Sequence, residues 1–355
     1  MFTNSDFYNN VVYVSLYFLA VIAGLVLIII FNRLRTESVI KRRQKYMRKW
    51  EKMLNEYLED KMTANSFYNL ISGPTIDLFL LFLKVYIQNL KGSDFNKIAA
   101  LINDTPIAVK LIGELDSDSN NNIKRSSYFL GMAKNVEGKE LVLKKLDTND
   151  NLVFENCAIY LARVNYQEAS FEILRVAERF SYLNRAIIIS IFLEFESTVC
   201  ELLENRFWKE SLNNKINFVI IFRMFKYQDA APKVLEYIGK ITDEEFISES
   251  IKYFEEVDYF EAADALKIYL KHDSPDIKIG AIKALTKLGA ENLDGILYEL
   301  IYNEEWNIQL AAANCMYDYS EKSKAKLFSM AESGGESLET SIAHMIISER
   351  EIKEI

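Results

Sequence analysis

One pattern recurs through about two thirds of this chain at a nearly constant interval, and it restricts the possible fold more than any other feature. From about residue 120 onward, small or apolar residues four positions apart occur as Ser127/Gly131, Cys157/Leu161, Ile187/Ile191, Phe218/Phe222, Ser250/Phe254, Ala281/Leu285, Ala312/Met316 and Ile342/Ile346. Successive gaps are 30, 30, 31, 32, 31, 31 and 30 residues. A step of four puts both members on one helical face. A period near 31 leaves room for two short helices per unit, the mark of an α-solenoid whose units bury their apolar faces only by stacking. Glycine and proline are scarce, 12 and 4 residues of 355, which argues against a turn-rich β protein or a disordered chain. The fold class expected is all-α, a solenoid of about eight helical pairs.

The later units carry a family resemblance. Ser274-Pro275-Asp276-Ile277-Lys278-Ile279-Gly280-Ala281-Ile282-Lys283-Ala284-Leu285 leads to Leu288-Gly289, where glycine suits a helix C-cap. Glu305-Trp306-Asn307-Ile308-Gln309-Leu310-Ala311-Ala312-Ala313 repeats the pattern, and Asn151 to Ala158 and Tyr182 to Ile187 are weaker copies. This resembles the first helix of a HEAT repeat, particularly the short bacterial form of phycobilisome-lyase-like proteins. The resemblance covers roughly residues 120–348. It implies the fold and a bacterial source; HEAT solenoids serve too many tasks for it to imply a function.

The N-terminal fifty residues differ in charge from the rest. They hold eight basic and two acidic residues, which leaves 34 basic and 49 acidic residues beyond them. Residues 11–31 are 21 consecutive uncharged positions rich in Val, Leu and Ile. At about 1.5 Å per residue they would match the roughly 30 Å hydrocarbon layer of a bilayer. The expectation is a single-pass transmembrane helix over 11–31, with 1–10 outside. Because the basic residues follow the span, the solenoid is expected in the cytoplasm of a cell-membrane protein. A long basic juxtamembrane helix is expected over 32–72, where Lys41, Arg42, Arg43, Lys45, Arg48 and Lys49 form a candidate membrane-surface collar. Residues 73–118 are expected to form a helical entry or cap, and 119–355 the solenoid.

Catalytic signatures are missing from the sequence. It has no glycine-rich phosphate loop, no Gly-x-Ser-x-Gly elbow, no His-Glu-x-x-His and no Cys-x-x-Cys. Only His272 and His344 are present, and Cys157, Cys200 and Cys315 are far apart. Cys157 and Cys315 fall where other units place alanine, so both read as space-fillers. Two enzyme classes build on such repeats. Phycobilin lyases share only the repeat scaffold with this chain, and HEAT-like DNA glycosylases need a basic groove where this body is acidic. No catalytic residue, metal or cofactor is expected, and nucleic acid is not an expected partner.

What remains is recognition of protein. An acidic, aromatic-studded stretch supplies Glu244, Glu245, Glu255, Glu256 and Asp258 as candidate partner-binding residues, suited to a basic protein segment. The function expected is a membrane-anchored cytoplasmic scaffold or adaptor, for example an accessory subunit of an envelope polysaccharide synthesis or secretion machine. The alternative is an enzyme, lyase-like or other, with its site in a concave groove of the solenoid.

Overall fold

The computed structural model describes residues 4–71, 73–180, 185–333 and 337–353, leaving out the side chains of 4–15, 20, 23, 32, 34–35, 37–39, 74 and 353. Every regular element in it is helical. The chain divides into two compact units: Met1–Asp118 with Met132–Glu137, and Ser119–Gly131 with Gly138–Ile355.

The first unit contains α1 (Asn4–Leu58), α2 (Ala64–Asn69), α3 (Ile76–Asn89), α4 (Gly92–Asn103) and α5 (Pro106–Leu115). The end of α1 has an apolar stripe, Trp50, Met53, Leu54 and Tyr57, at helical spacing, and all four are buried. Trp50 meets Phe79 edge-on at 5.4 Å, and Tyr57 stacks on Phe67 at 5.9 Å. The Tyr57 hydroxyl donates to the Lys97 carbonyl at 2.8 Å, and Lys97 donates to the carbonyl of Leu58 at 2.6 Å. The helix expected to run to about residue 70 instead ends at Leu58, and Thr63 caps a new one by accepting from the Ser66 amide. The end of α1 and the segment 73–115 thus share one core.

Among the described residues, no helix is long and apolar enough to cross a membrane. This overturns the single-pass anchor over 11–31 and the localisation built on it, with an external N-terminus and a cytoplasmic solenoid. The apolar tract is no helix of its own but the start of α1, whose continuation carries the basic collar. The side chains of residues 11–15, 20 and 23 lie outside the described residues.

The second unit is a series of helical pairs. The first helices are α6 (Asn120–Met132), α8 (Asn151–Arg163), α10 (Arg185–Phe192), α12 (Leu212–Met224), α14 (Glu244–Glu256), α16 (Pro275–Lys287), α18 (Trp306–Tyr319) and α20 (Leu338–Lys353). Between them lie the second helices α7 (Lys139–Leu146), α9 (Ser170–Ala177), α11 (Val199–Arg206), α13 (Ala231–Ile238), α15 (Ala263–Leu266), α17 (Leu293–Leu300) and α19 (Glu321–Glu332). From α8 to α20 each first helix packs on the next, which forms one continuous layer. The recurrent pairs lie in that layer: Cys157/Leu161, Phe218/Phe222, Ser250/Phe254, Ala281/Leu285, Ala312/Met316 and Ile342/Ile346 are all buried. At Gly131 a Cβ would sit 3.1 Å from the Tyr160 Cα, so the helices approach closely there and any side chain would have to push that backbone back by a few tenths of an ångström. The third unit departs from the expected phase, with Ile188, Ile191 and Phe192 buried and Ile187 only half-buried. Ile188 stands 31 residues after Cys157 and 30 before Phe218, so the inward stripe here lies one position later than Ile187.

The turn that ends the first helix also repeats. Asn165, Lys226, Asp258 and Gly289 adopt positive φ of 52°, 52°, 52° and 63°. The following amide reaches back to the helix: Tyr166 to the Leu161 carbonyl at 2.9 Å, Tyr227 to Phe222 at 2.8 Å, Tyr259 to Phe254 at 3.0 Å and Ala290 to Leu285 at 3.0 Å. This is the Schellman closure, which satisfies carbonyls the helix leaves open. Three of these turns share a hexapeptide: Asn165-Tyr166-Gln167-Glu168-Ala169-Ser170, Lys226-Tyr227-Gln228-Asp229-Ala230-Ala231 and Asp258-Tyr259-Phe260-Glu261-Ala262-Ala263. Its alanines, Ala169, Ala230 and Ala262, are fully buried where the second helix begins.

Candidate interaction surface

Side chains of neighbouring repeats are joined across the turns. Arg163 pairs with Glu194 at 2.7 Å, Lys226 with Glu256 at 2.7 Å, Lys287 with Asp258 at 3.2 Å and Arg350 with Asp318 at 2.6 Å. Each pair links residues about one period apart. They are at least partly exposed, so each is worth at most about 1 kcal/mol, and their role is register more than stability.

This ladder takes up part of the acidic stretch and divides the rest. Glu244 and Glu245 lie in the first turn of α14, while Glu255, Glu256 and Asp258 lie at its far end. Glu245 is engaged by Arg185 at 2.9 Å, Glu256 by Lys226 and Asp258 by Lys287. The hydrogen bond from Lys226 holds the Glu256 carboxyl below the usual carboxylate range. The structure therefore does not gather the five candidates into one patch. Phe246 and Phe254 are buried in the core and Phe260 is exposed. The collar residues Lys41, Arg42, Arg43, Lys45, Arg48 and Lys49 are exposed on α1, in the other unit.

An open furrow of about 940 Å³ lies elsewhere, between α16 and α18. One wall is the α16 face of Asp276, Ile279, Lys283, Thr286 and Lys287. The other is the α18 face of Asn307, Leu310, Ala311, Asn314, Cys315 and Asp318, and Glu255 and Arg350 line it from α14 and α20. Both walls follow steps of three and four residues, so the furrow runs along the helix axes. Its lining carries three acids and three bases over a narrow apolar floor. Sequence reasoning missed this surface, although residues such as Asp276 and Asn307, or Ile279 and Leu310, stand one period of 31 apart. The signal was available as the polar counterpart of the inward pairs, read one face over.

The groups with nucleophilic or ligating chemistry are placed as follows. Cys157, Cys200 and Cys315 are buried. Burial pushes the thiols of Cys157 and Cys200 up to about 12 and raises that of Cys315, which keeps all three protonated and unreactive near neutral pH. Cys157 faces Ser127 at 3.7 Å in the tight contact between α6 and α8. His272 accepts from the Ser274 amide at 3.1 Å in the turn before α16, and His344 is exposed on α20. Among the described residues, no group of three His, Cys, Asp or Glu side chains is placed to hold a metal ion.

Fold and surface together define an all-α helical-repeat protein with an open, mixed-charge furrow on its layer of first helices. No protein-family model matches the chain, and no curated protein matches it. Among solved structures, the complex of CpcE and CpcF of phycocyanin lyase from Nostoc sp. PCC7120 is similar over 68% of this chain and 94% of that chain, at 13% identity and a TM-score of 0.29. A score that low carries no argument, so the assignment to helical repeats rests on the register, the closures and the burial described above.

Proposed function

We propose that this chain is a non-catalytic scaffold that binds a partner protein through the first-helix layer of its second unit, as an accessory subunit of a larger assembly. The observation that carries the reading is the furrow between α16 and α18. It is long, open at its surface and lined by charges of both signs over an apolar floor. Interfaces of non-obligate complexes have that character, an apolar centre within a polar rim that selects partners by charge. A catalytic site in the same furrow would need an activated group, and its one thiol, Cys315, is buried with its ionisation suppressed.

In-cell photo-crosslinking tests the proposal. A photoreactive phenylalanine derivative replaces Lys283 on the furrow wall or, as a control, the exposed Tyr302 just beyond α17. The reading expects a discrete adduct with one protein, identified by mass spectrometry, from position 283 and none from position 302. No adduct from 283, or the same adducts from both positions, would overturn it.

A further inference from the structure

The chemistry of the partner follows from which furrow charges are already engaged; this step rests on the protein-binding reading above. Lys287 is held by Asp258 at 3.2 Å and by the Glu255 carbonyl at 2.6 Å, and Arg350 is held by Asp318 at 2.6 Å. Asp276, Lys283 and the carboxylate of Glu255 line the same furrow without an ion-pair partner among the described residues. A half-buried or exposed charge without a protein partner loses only water when a complementary charge arrives, so these three are the positions at which a ligand gains most.

Their order along the furrow is fixed by α16. Asp276 stands in the first turn of that helix. Lys283 follows seven residues later, about 10 Å along the axis. Glu255 enters at the level of Lys287, whose ammonium its carbonyl holds, four residues or about 6 Å further on. The free charges thus run negative, positive, negative over three helical turns. Between them Ile279, Leu310 and Ala311 supply a low apolar floor. A furrow between two parallel helices accepts the side-chain ridge of a third. On that third helix, positions i, i+7 and i+11 share one face.

We propose that the furrow binds an amphipathic helix of a partner protein carrying a basic, an acidic and a basic residue at i, i+7 and i+11, with small or aliphatic residues between them. In the opposite direction the same charges require i, i+4 and i+11. The basic ends meet Asp276 and Glu255, the acid meets Lys283, and the apolar residues cover Ile279, Leu310 and Ala311. A net basic helix also suits a body with 34 basic and 49 acidic residues beyond residue 50, whose field draws it in.

The test is a displayed library of alanine-rich helices of about four turns, randomised along one face and selected against the full chain. Enriched peptides are synthesised and their affinity measured by fluorescence anisotropy. The proposal expects the basic–acidic–basic spacing to dominate. It expects binding to fall about tenfold or more in the double variant Asp276→Lys/Glu255→Lys, at unchanged helicity. Exchanging the two basic residues of the peptide for glutamates should restore binding to that variant. No enrichment, enrichment without the spacing, or affinity unchanged by the double reversal would overturn the inference. If position 283 still crosslinks to a protein in such a case, only the helix chemistry fails; if it does not, the protein-binding reading fails with it.

Discussion

The turns after α8 and α10 are one repeat apart and bonded to each other, yet they are built differently. After α8 the chain closes tightly: Asn165 takes positive φ, the Tyr166 amide bonds the Leu161 carbonyl, and Ala169 is buried at the start of α9. After α10 no residue takes positive φ; the Glu194 and Phe195 amides bond carbonyls only three residues back, and Phe195 is buried. The register nevertheless holds. Asn165 donates to the Glu196 carboxylate at 3.2 Å and accepts from its amide at 3.3 Å, Arg163 pairs with Glu194, and Gln167 bonds Thr198. All these pairs lie 31 residues apart. Register and turn geometry are therefore separable here. Lateral hydrogen bonds and burial keep the first, and the second depends on a residue that tolerates the left-handed region. Asparagine, aspartate and glycine do so most readily, and Asn165, Asp258 and Gly289 occupy that place, while Lys226 adopts the same conformation in the remaining tight turn without that preference.

Substitutions can break or sharpen that contrast. The largest effect is expected at the tight turns' alanines. Ala230→Leu forces a branched side chain into a fully buried site and should cost about 2–3 kcal/mol, read as a lower urea midpoint. A midpoint equal to the parent's would mean that the hexapeptide alanine is not a packing contact. A smaller effect should separate the two turns directly. Asn165→Val places a β-branched residue at positive φ and should cost about 1–2 kcal/mol, whereas Glu196→Val should stay within about 0.5 kcal/mol. Equal losses would show that lateral bonding, not backbone conformation, dominates both sites.

The smallest effect concerns the Lys226–Glu256 rung. The Glu256 carboxyl titrates below its ordinary value because Lys226 donates a hydrogen bond to it. A depressed acid binds fewer protons in the folded chain than in the unfolded one. Its contribution is therefore present above the ordinary carboxylate value and is lost as pH falls through the folded value. Both partners are exposed, so a slight fall in urea midpoint over that acidic window is expected, and Lys226→Gln should reduce it. An identical fall in both proteins would assign the pH dependence to other carboxylates.

The contrast also shows which features sequence reasoning could reach. The small inward residues Cys157, Ser250, Ala281 and Ala312 were legible because close helix contact limits side-chain size at one position per repeat, which leaves a periodic trace. The phase at Ile187 was misread because Ile187 and Ile188 are both apolar and fit the interval equally, each 30 residues from one flanking inward position and 31 from the other, so only burial distinguishes them. The Tyr-x-acid-Ala hexapeptide was written in the sequence three times, but it belongs to a turn, where helical periodicity does not look. The acidic stretch read as one surface because Glu244 and Asp258 are close in the chain. A 13-residue helix separates them by roughly 20 Å in space, and the ladder engages three of the five acids. The furrow was least legible, since it combines two helices 31 residues apart with a face that only tertiary packing selects. In the first unit, the uncharged run at 11–31 was read as a span distinct from the basic helix expected after it, whereas α1 runs through both as far as Leu58.

Deletion of one whole period tests the central claim, that the second unit is a stack of interchangeable 31-residue modules, most directly. Asp243 accepts the Phe246 amide at the start of α14, and Ser274 stands at the same place before α16, 31 residues later. Removing residues 244–274 joins Asp243 to Pro275 and places α16 where α14 was, on α12. Because the main packing joins each first helix to the next, and the Arg185–Glu245 pair that skips a repeat is a partly exposed ion pair, the shortened chain should fold, with helical content per residue unchanged and a single cooperative melt. A chain that loses helicity well beyond the deleted residues, or melts without cooperativity, would contradict the account.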